Sequence, residues 1–477
     1  MLHAGSLFRL HSASTAVEVH VLRSLFSVFF VFCALTQSTS GEDRPLFAYV
    51  AKEDASYRWE LKRDGKVGKT NFWELQLTSQ TWQGIAWKHQ LFLIKPSQVQ
   101  QDSEHGMLFI GGGSWRDPTE ESAEEPATEQ TLPREASQFA LLAEQLHTPV
   151  AVLLQVPHQP IFGGKYEDQI IAYTFAQFHK TGDVEWPLLL PMVKSAVRAM
   201  DATSEFSQSQ WSHPISTFTV SGASKRGWTT WLTGAVDKRA TAIAPMVIDV
   251  LNMSQQMKHQ KEVWGDFSYK IADYTELGLT EKQQTERGQA LERIVDPFSY
   301  RKLLSQPKLI ILGTNDHYWP LDALNLYWDE LESPKHILYV PNNRHGLSDL
   351  VRVFGGLNAL HQSQIHQRPL PELSWNFTES SDGVTLEMNS VPATSMAKVW
   401  YSESPTRDFR KAEWRSFPTR QEKGTWSFKV SSPESGYVAV FGEATYALTK
   451  LPFYLSTNVR IIKARTSDSS SDNPPSP

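Results

Sequence analysis

Between residues 107 and 360, short apolar runs alternate with longer segments of helical spacing, and this rhythm constrains the fold more than any other feature of the chain. The runs at 107–110, 150–156, 217–220, 242–248, 309–312 and 337–340 read as strands, and 135–146, 166–178, 188–200, 228–236 and 347–360 as helices. The run at 150–156 is continuously apolar, as in a strand buried on both faces. Strands alternating with helices predict an α/β fold, a mostly parallel sheet with helices on both faces, over residues 41–365. Residues 252–300 break the rhythm with a polar, largely helical insertion. An insertion near strand ends forms either a lid or a structural excursion.

After Pro369 the texture changes. Short alternating runs at 385–388, 397–401, 425–430, 437–441 and 453–462 are separated by turn residues and punctuated by Trp375, Trp400, Trp414 and Trp426. This predicts a C-terminal antiparallel β-sandwich of immunoglobulin or fibronectin type over 366–463. Its tryptophans are expected in the sandwich core rather than on a sugar-binding platform. The Ser/Asp/Pro-rich tail at 464–477 is expected to be disordered, and the acid- and proline-rich loop at 117–133 to be solvated and mobile.

Arg23 precedes an apolar run at 25–35, and Ser38, Thr39 and Ser40 follow it. The pattern predicts a signal peptide or signal anchor within 1–40 and a secreted, lumenal or periplasmic protein. The single cysteine, Cys33, lies inside that run. Cleavage of the signal would leave no thiol, which excludes thiol catalysis and disulfides. A net charge of -6 argues against a general nucleic-acid binder. No helical His-x-x-x-His pattern stands out, so neither a metal nor a cofactor is expected. Sequons at Asn252 and Asn376 fit glycosylation in a secretory route.

The chemistry is concentrated at Ser224, in Ser221-Gly222-Ala223-Ser224-Lys225-Arg226-Gly227-Trp228. The segment reads as strand, sharp turn and helix, a geometry that lifts a serine hydroxyl above a sheet. Such a hydroxyl needs a base within reach, and the base needs an orienting carboxylate. Asp316 and His345 follow later strands in the order serine, acid, histidine that α/β-hydrolases use. His345 would take the Ser224 proton and Asp316 would fix the imidazole tautomer. The Lys225 N–H would donate to the oxyanion, with a second donor from the loop Gly112-Gly113-Ser114.

Alternatives stand beside each role. Ser224 also fits a helix N-cap, Asp316 an Asx-turn and His345 a loop histidine. Asp249 is a rival acid, although Gly-x-x-Asp before the histidine is the commoner pattern. The usual elbow is Gly-x-Ser-x-Gly, whereas here Arg226 takes the second glycine position and Gly227 comes one later. Arg226, Lys225, His158 and His317 are candidate substrate-binding residues; salt bridges are the commoner use of two such cations, and loop positions the commoner setting of two such histidines.

These residues also carry a family resemblance. Residues 221–229, Trp186-Pro187, Pro191-Met192-Val193-Lys194-Ser195-Ala196, Ala199-Met200-Asp201, Ile248-Asp249-Val250-Leu251-Asn252-Met253, Gly313-Thr314-Asn315-Asp316 and Trp400-Tyr401 with Arg407-Asp408-Phe409-Arg410 resemble the PhoPQ-activated pathogenicity-related family, from about Tyr49 to about Ile462. The resemblance implies an α/β-hydrolase-like domain with a C-terminal β domain, and Ser224, Asp316 and His345 at the triad-like positions. It also implies a rival role, because the family includes a secreted repressor of proliferation. The expectations are therefore a secreted serine hydrolase acting on a peptide or ester substrate, a signal binding a cell-surface receptor with the triad dispensable, or a carbohydrate-ester hydrolase of glucuronoyl-esterase type in which Arg226 binds a uronate carboxylate.

Overall fold

The apolar runs form the parallel centre of one long sheet. The computed structural model describes residues 44–100, 103–116, 134–211, 213–394, 396–447 and 451–464. The expected signal segment, acid-rich loop and C-terminal tail beyond 464 lie outside the described residues.

Among the described residues, nine strands precede residue 341: β1 (Arg58–Val67), β2 (Thr70–Trp82), β3 (Ile85–Lys95), β4 (His105–Ile110), β5 (Val150–Leu153), β6 (Thr217–Ala223), β7 (Ala240–Met246), β8 (Lys308–Gly313) and β9 (Lys335–Val340). Their order is β1-β2-β3-β5-β4-β6-β7-β8-β9. From β5 to β9 every pairing is parallel, and β3 runs antiparallel to both neighbours. The eight strands from β2 to β9, of which the second, β3, is antiparallel to its neighbours, form the α/β-hydrolase sheet.

Helices α1 (Pro45–Ala51), α2 (Arg134–Leu146), α3 (Glu167–Thr181), α4 (Leu189–Gln210), α5 (Lys225–Val236) and α9 (Leu350–Ile365) cover the sheet. Strand alternation decides which residue meets which face. In β8, Ile310 and Leu312 join the core under α4 and α5, while Leu309 and Ile311 join the core under α2 and α9. A strand clamped between two helical layers buries both faces, which favours continuous apolar runs such as 309–312 and makes them visible in the sequence; Thr219 and Ser221 of β6 and Lys308 of β8 are buried polar exceptions.

The long antiparallel strands β1–β3 were not among the sequence expectations. They bury polar residues: Ser79 Oγ lies 3.0 Å from Ser195 Oγ, and Gln80 Nε2 donates to the Pro191 carbonyl at 2.8 Å. Satisfied polar pairs replace apolar contacts at these positions of β2, whereas β3 carries an apolar run at 91–94 that the sequence expectations omit.

The insertion is helical, with α6 (Met253–Trp264), α7 (Ala272–Thr275) and α8 (Glu286–Val295). The C-terminal region has β10 (Glu372–Ser380), β11 (Gly383–Val391), β12 (Met396–Ser404), β13 (Arg415–Pro418), β14 (Arg420–Glu422), β15 (Thr425–Ser431), β16 (Tyr437–Tyr446), β17 (Phe453–Ser456) and β18 (Arg460–Lys463). The sheet β10-β11-β15-β14 packs on β12 and β16 through Val384, Leu386, Met388, Val399, Val438 and Val440, giving the antiparallel sandwich. One of its sheets is not separate from the α/β domain. β17 pairs with β16 and meets β9 at Ser456 and Ile337, so the main sheet runs on into the sandwich. No helix among the described residues is long and apolar enough to cross a membrane.

Candidate active site

Ser224 sits between β6 and α5 with φ 59° and ψ -124°. A serine held there costs about 1–3 kcal/mol unless its surroundings fix it. Two bonds do so: the Ser224 N–H donates to the Met246 carbonyl at 2.8 Å, and the Trp228 N–H to the Ser224 carbonyl at 2.9 Å. The hydroxyl does not cap α5; it faces His345, which sets aside the N-cap alternative.

The displaced glycine has a physical reason. A Cβ on Gly227 would fall 2.8 Å from the Met246 carbonyl oxygen and 2.7 Å from Ile248 Cγ2, and one on Gly222 would fall 2.8 Å from the Arg226 carbonyl oxygen. The first turn of α5 thus packs against the sheet through Gly222 and Gly227, and position 226 points elsewhere.

Asp316 and His345 follow β8 and β9, whose ends pair at Gly313 and Val340. His345 Nε2 is 2.8 Å from Ser224 Oγ, and Nδ1 is 2.7 Å from Asp316 Oδ2. The other Asp316 oxygen accepts the Tyr318 N–H at 2.8 Å, so the Asx-turn and the contact to His345 share one carboxylate. The Tyr318 ring lies over the His345 ring, with centroids 4.3 Å apart. A Cβ on Gly313 would fall 2.6 Å from the Asn343 carbonyl oxygen and 2.7 Å from that of Arg344. The Gly-x-x-Asp pattern therefore allows the acid loop and the histidine loop to touch.

Both loops are anchored from the C-terminal region, which sequence reasoning missed. Asn315 Nδ2 donates to the carbonyls of Phe409 and Ala412, at 3.2 and 2.7 Å. Asn342 donates to the Trp414 carbonyl at 3.0 Å and accepts its N–H at 2.7 Å. Arg407 reaches Asp322 at 2.6 Å, and His259 of α6 lies 2.7 Å from the other oxygen of that carboxylate. No short-range sequence pattern signals such contacts; the only hint was that 407–410 belongs to the resembling residues.

The other predicted residues divide. Asp249 is buried and accepts the Tyr327 hydroxyl at 2.6 Å. Burial, opposed by that bond, pushes its carboxyl up to about 7. Both ring nitrogens of His345 are engaged by Asp316 and Ser224, which leaves Asp249 outside the constellation. Lys225 opens α5, so its N–H has no intrahelical acceptor. Ile110 pairs with Gly222, which sets the loop of Gly112 and Gly113 beside the elbow.

Arg226 does not meet the expectation of a substrate-binding cation. Its guanidinium lies over Gly112 and bonds both Glu167 oxygens at 2.8 and 2.6 Å, while Nε donates to the Val156 carbonyl. The Lys225 ammonium is likewise taken, by Asp168 at 2.9 Å and Glu167 at 3.3 Å. Burial alone would raise the Glu167 carboxyl, but Arg226 and Lys225 outweigh it and hold it at about 2. The uronate reading loses its support with Arg226.

His158 sits between Trp87 and Trp115, with Nδ1 3.0 Å from the Lys88 carbonyl oxygen; His317 Nδ1 meets the Tyr269 hydroxyl at 2.6 Å. Neither lines the pocket at Ser224. Asn252 spends its amide on the Leu326 carbonyl at 3.0 Å, which disfavours a glycan there; Asn376 is an exposed residue of β10. Among the described residues no group of three His, Cys, Asp or Glu is placed to hold a metal ion.

Ser224 and His345 open onto a pocket of about 100 Å³. The insertion supplies one wall through α6 and α8, and α3, α5 and the segments after β7 and β8 supply the rest.

A family model described as PhoPQ-activated pathogenicity-related protein matches residues 46–410. Autocrine proliferation repressor protein A of Dictyostelium discoideum is 31% identical over 445 residues, covering 85% of this chain and 86% of that one. Distant likenesses among solved structures include an acetyl xylan esterase from Paenibacillus sp. R4 (11% identity, 65% of this chain and 91% of that one, TM-score 0.44). Another is a glucuronoyl esterase from Solibacter usitatus (13%, 63% and 86%, TM-score 0.34). By the length and identity of its match, the chain belongs to the PhoPQ-activated pathogenicity-related protein family.

Proposed function

We propose that the chain is a serine hydrolase that cleaves an ester or peptide bond through an acyl-enzyme. One observation carries the reading: His345 spans Ser224 and Asp316 at 2.8 and 2.7 Å, at the C-terminal ends of parallel strands. His345 takes the Ser224 proton as Oγ attacks the carbonyl carbon, and Asp316 steadies the resulting imidazolium. The Lys225 N–H and an N–H of the Gly112–Gly113 loop receive the oxyanion. Collapse expels the leaving group, which His345 protonates. A water, deprotonated by the same histidine, then releases the acyl group. Secretion belongs to this reading and rests on the apolar run at 25–35.

The test is pre-steady-state hydrolysis of a p-nitrophenyl ester. A burst of nitrophenol equal to the enzyme concentration, abolished in Ser224→Ala, is expected. Turnover that survives in Ser224→Ala would place the chemistry elsewhere.

The amoebal relative's name supports a second reading, a secreted autocrine repressor of proliferation acting through a receptor. Under it, folded Ser224→Ala protein keeps full growth-inhibitory activity; loss of that activity ties the signal to the hydrolase.

A further inference from the structure

The pocket at Ser224 is apolar for most of its wall, and the charged groups on it are already paired. Phe175, Trp228, Met257, Leu279, Leu291 and Trp319 give it its character. Asp168 lies 2.9 Å from the Lys225 ammonium and accepts the Tyr274 hydroxyl at 2.9 Å. Glu292 accepts the Ser254 hydroxyl at 2.8 Å, and the Trp228 indole donates to the Val295 carbonyl.

A sugar or a peptide backbone entering this space would give up its bonds to water and find few partners, at a cost for each polar group. An alkyl or aryl group loses nothing and gains by leaving water. Size also selects. An apolar cavity of about 150 Å³ admits benzene, so a pocket of about 100 Å³ suits a short alkyl chain or a small ring. We infer that the substrate of this site is an ester or amide with a short apolar group, an alkyl chain longer than acetyl or a small aryl ring, seated between Ser224 and the insertion helices α6 and α8. The inference rests on the hydrolase reading and narrows it to a substrate class.

Each methylene moved from water into the pocket is expected to raise kcat/KM about fourfold, from the free energy of burying one CH₂. p-Nitrophenyl butanoate should therefore exceed the acetate by about 15-fold, and long-chain esters should fall away once the pocket is full. Met257→Trp, which fills the space from α6, should cut the butanoate-to-acetate ratio at least to about a fourth. Leu291→Ala should move the optimum to longer chains. Calorimetry on Ser224→Ala protein, with butanamide and acetamide as probes, reads the pocket without chemistry. Tighter butanamide binding that Met257→Trp removes supports the pocket even where no ester turns over. Turnover through Ser224 with acetate as the best ester, or butanamide binding untouched by Met257→Trp, overturns the inference while leaving the hydrolase reading in place.

Discussion

Replacing Arg226 by Gln removes a guanidinium that this account treats as structural. Two charge-assisted bonds to Glu167 are lost, together with the bond from Nε to the Val156 carbonyl. Breaking a fully buried ion pair costs about 3–5 kcal/mol, whereas exposed pairs contribute about 0–1 kcal/mol. The Arg226 side chain is 11% exposed, but Glu167 is 35% exposed and keeps Lys225 at 3.3 Å. A loss of about 2 kcal/mol in unfolding free energy follows at neutral pH. The Glu167 carboxyl lies at about 2 in the folded protein against an ordinary 4.5. A depressed carboxyl contributes its stability above the unfolded value and loses it as pH falls toward the folded one. The gap between wild type and Arg226→Gln should thus be full at about pH 6 and narrow steadily from about pH 4.5 downward. Urea unfolding followed by tryptophan fluorescence measures it. Equal stability at neutral pH, with a raised KM for anionic esters alone, would refute the reasoning and return Arg226 to the substrate.

Gly227→Ala should cost about 1–3 kcal/mol and abolish hydrolysis, because its methyl meets the Met246 carbonyl and Ile248; denaturation and turnover on one sample check both. Asp316→Asn should lower kcat about 10⁴-fold, while Asp249→Asn should leave the serine reactive. Burial holds the Asp249 carboxyl at about 7, well above 3.8. Its ionisation therefore costs stability progressively as pH rises between those values, and the stability advantage of Asp249→Asn should grow across the same window in thermal unfolding. Asn315→Ala should cost about 2 kcal/mol by freeing the acid loop from 409–412, and should lower kcat with little change in KM.

The centre of the fold was legible because burial on both faces favours apolar runs along the central strands, although β6 also buries Thr219 and Ser221. Ser224, Asp316 and His345 were legible for a related reason: parallel strands end at one edge, so residues far apart in sequence collect there. What escaped was held by polar contacts between distant segments. β2 hides behind Ser79 and Gln80, which bond to Ser195 and Pro191 more than a hundred residues away. Asn315 and Asn342 read as ordinary loop residues until their partners at 409–414 are known. Arg226 stayed open between a substrate contact and a salt bridge, because its partner, Glu167, lies 59 residues upstream. The sandwich was legible as alternating strands, but its junction at Ser456 and Ile337 was not, since a single bridge leaves no pattern.

Labelling the full-length protein with a fluorophosphonate, followed by peptide mapping, tests the central claim most directly. The account predicts one adduct per chain, on Ser224, absent from Ser224→Ala and strongly reduced in His345→Ala. Folded protein that takes up no label, or takes it up on another serine, would contradict it.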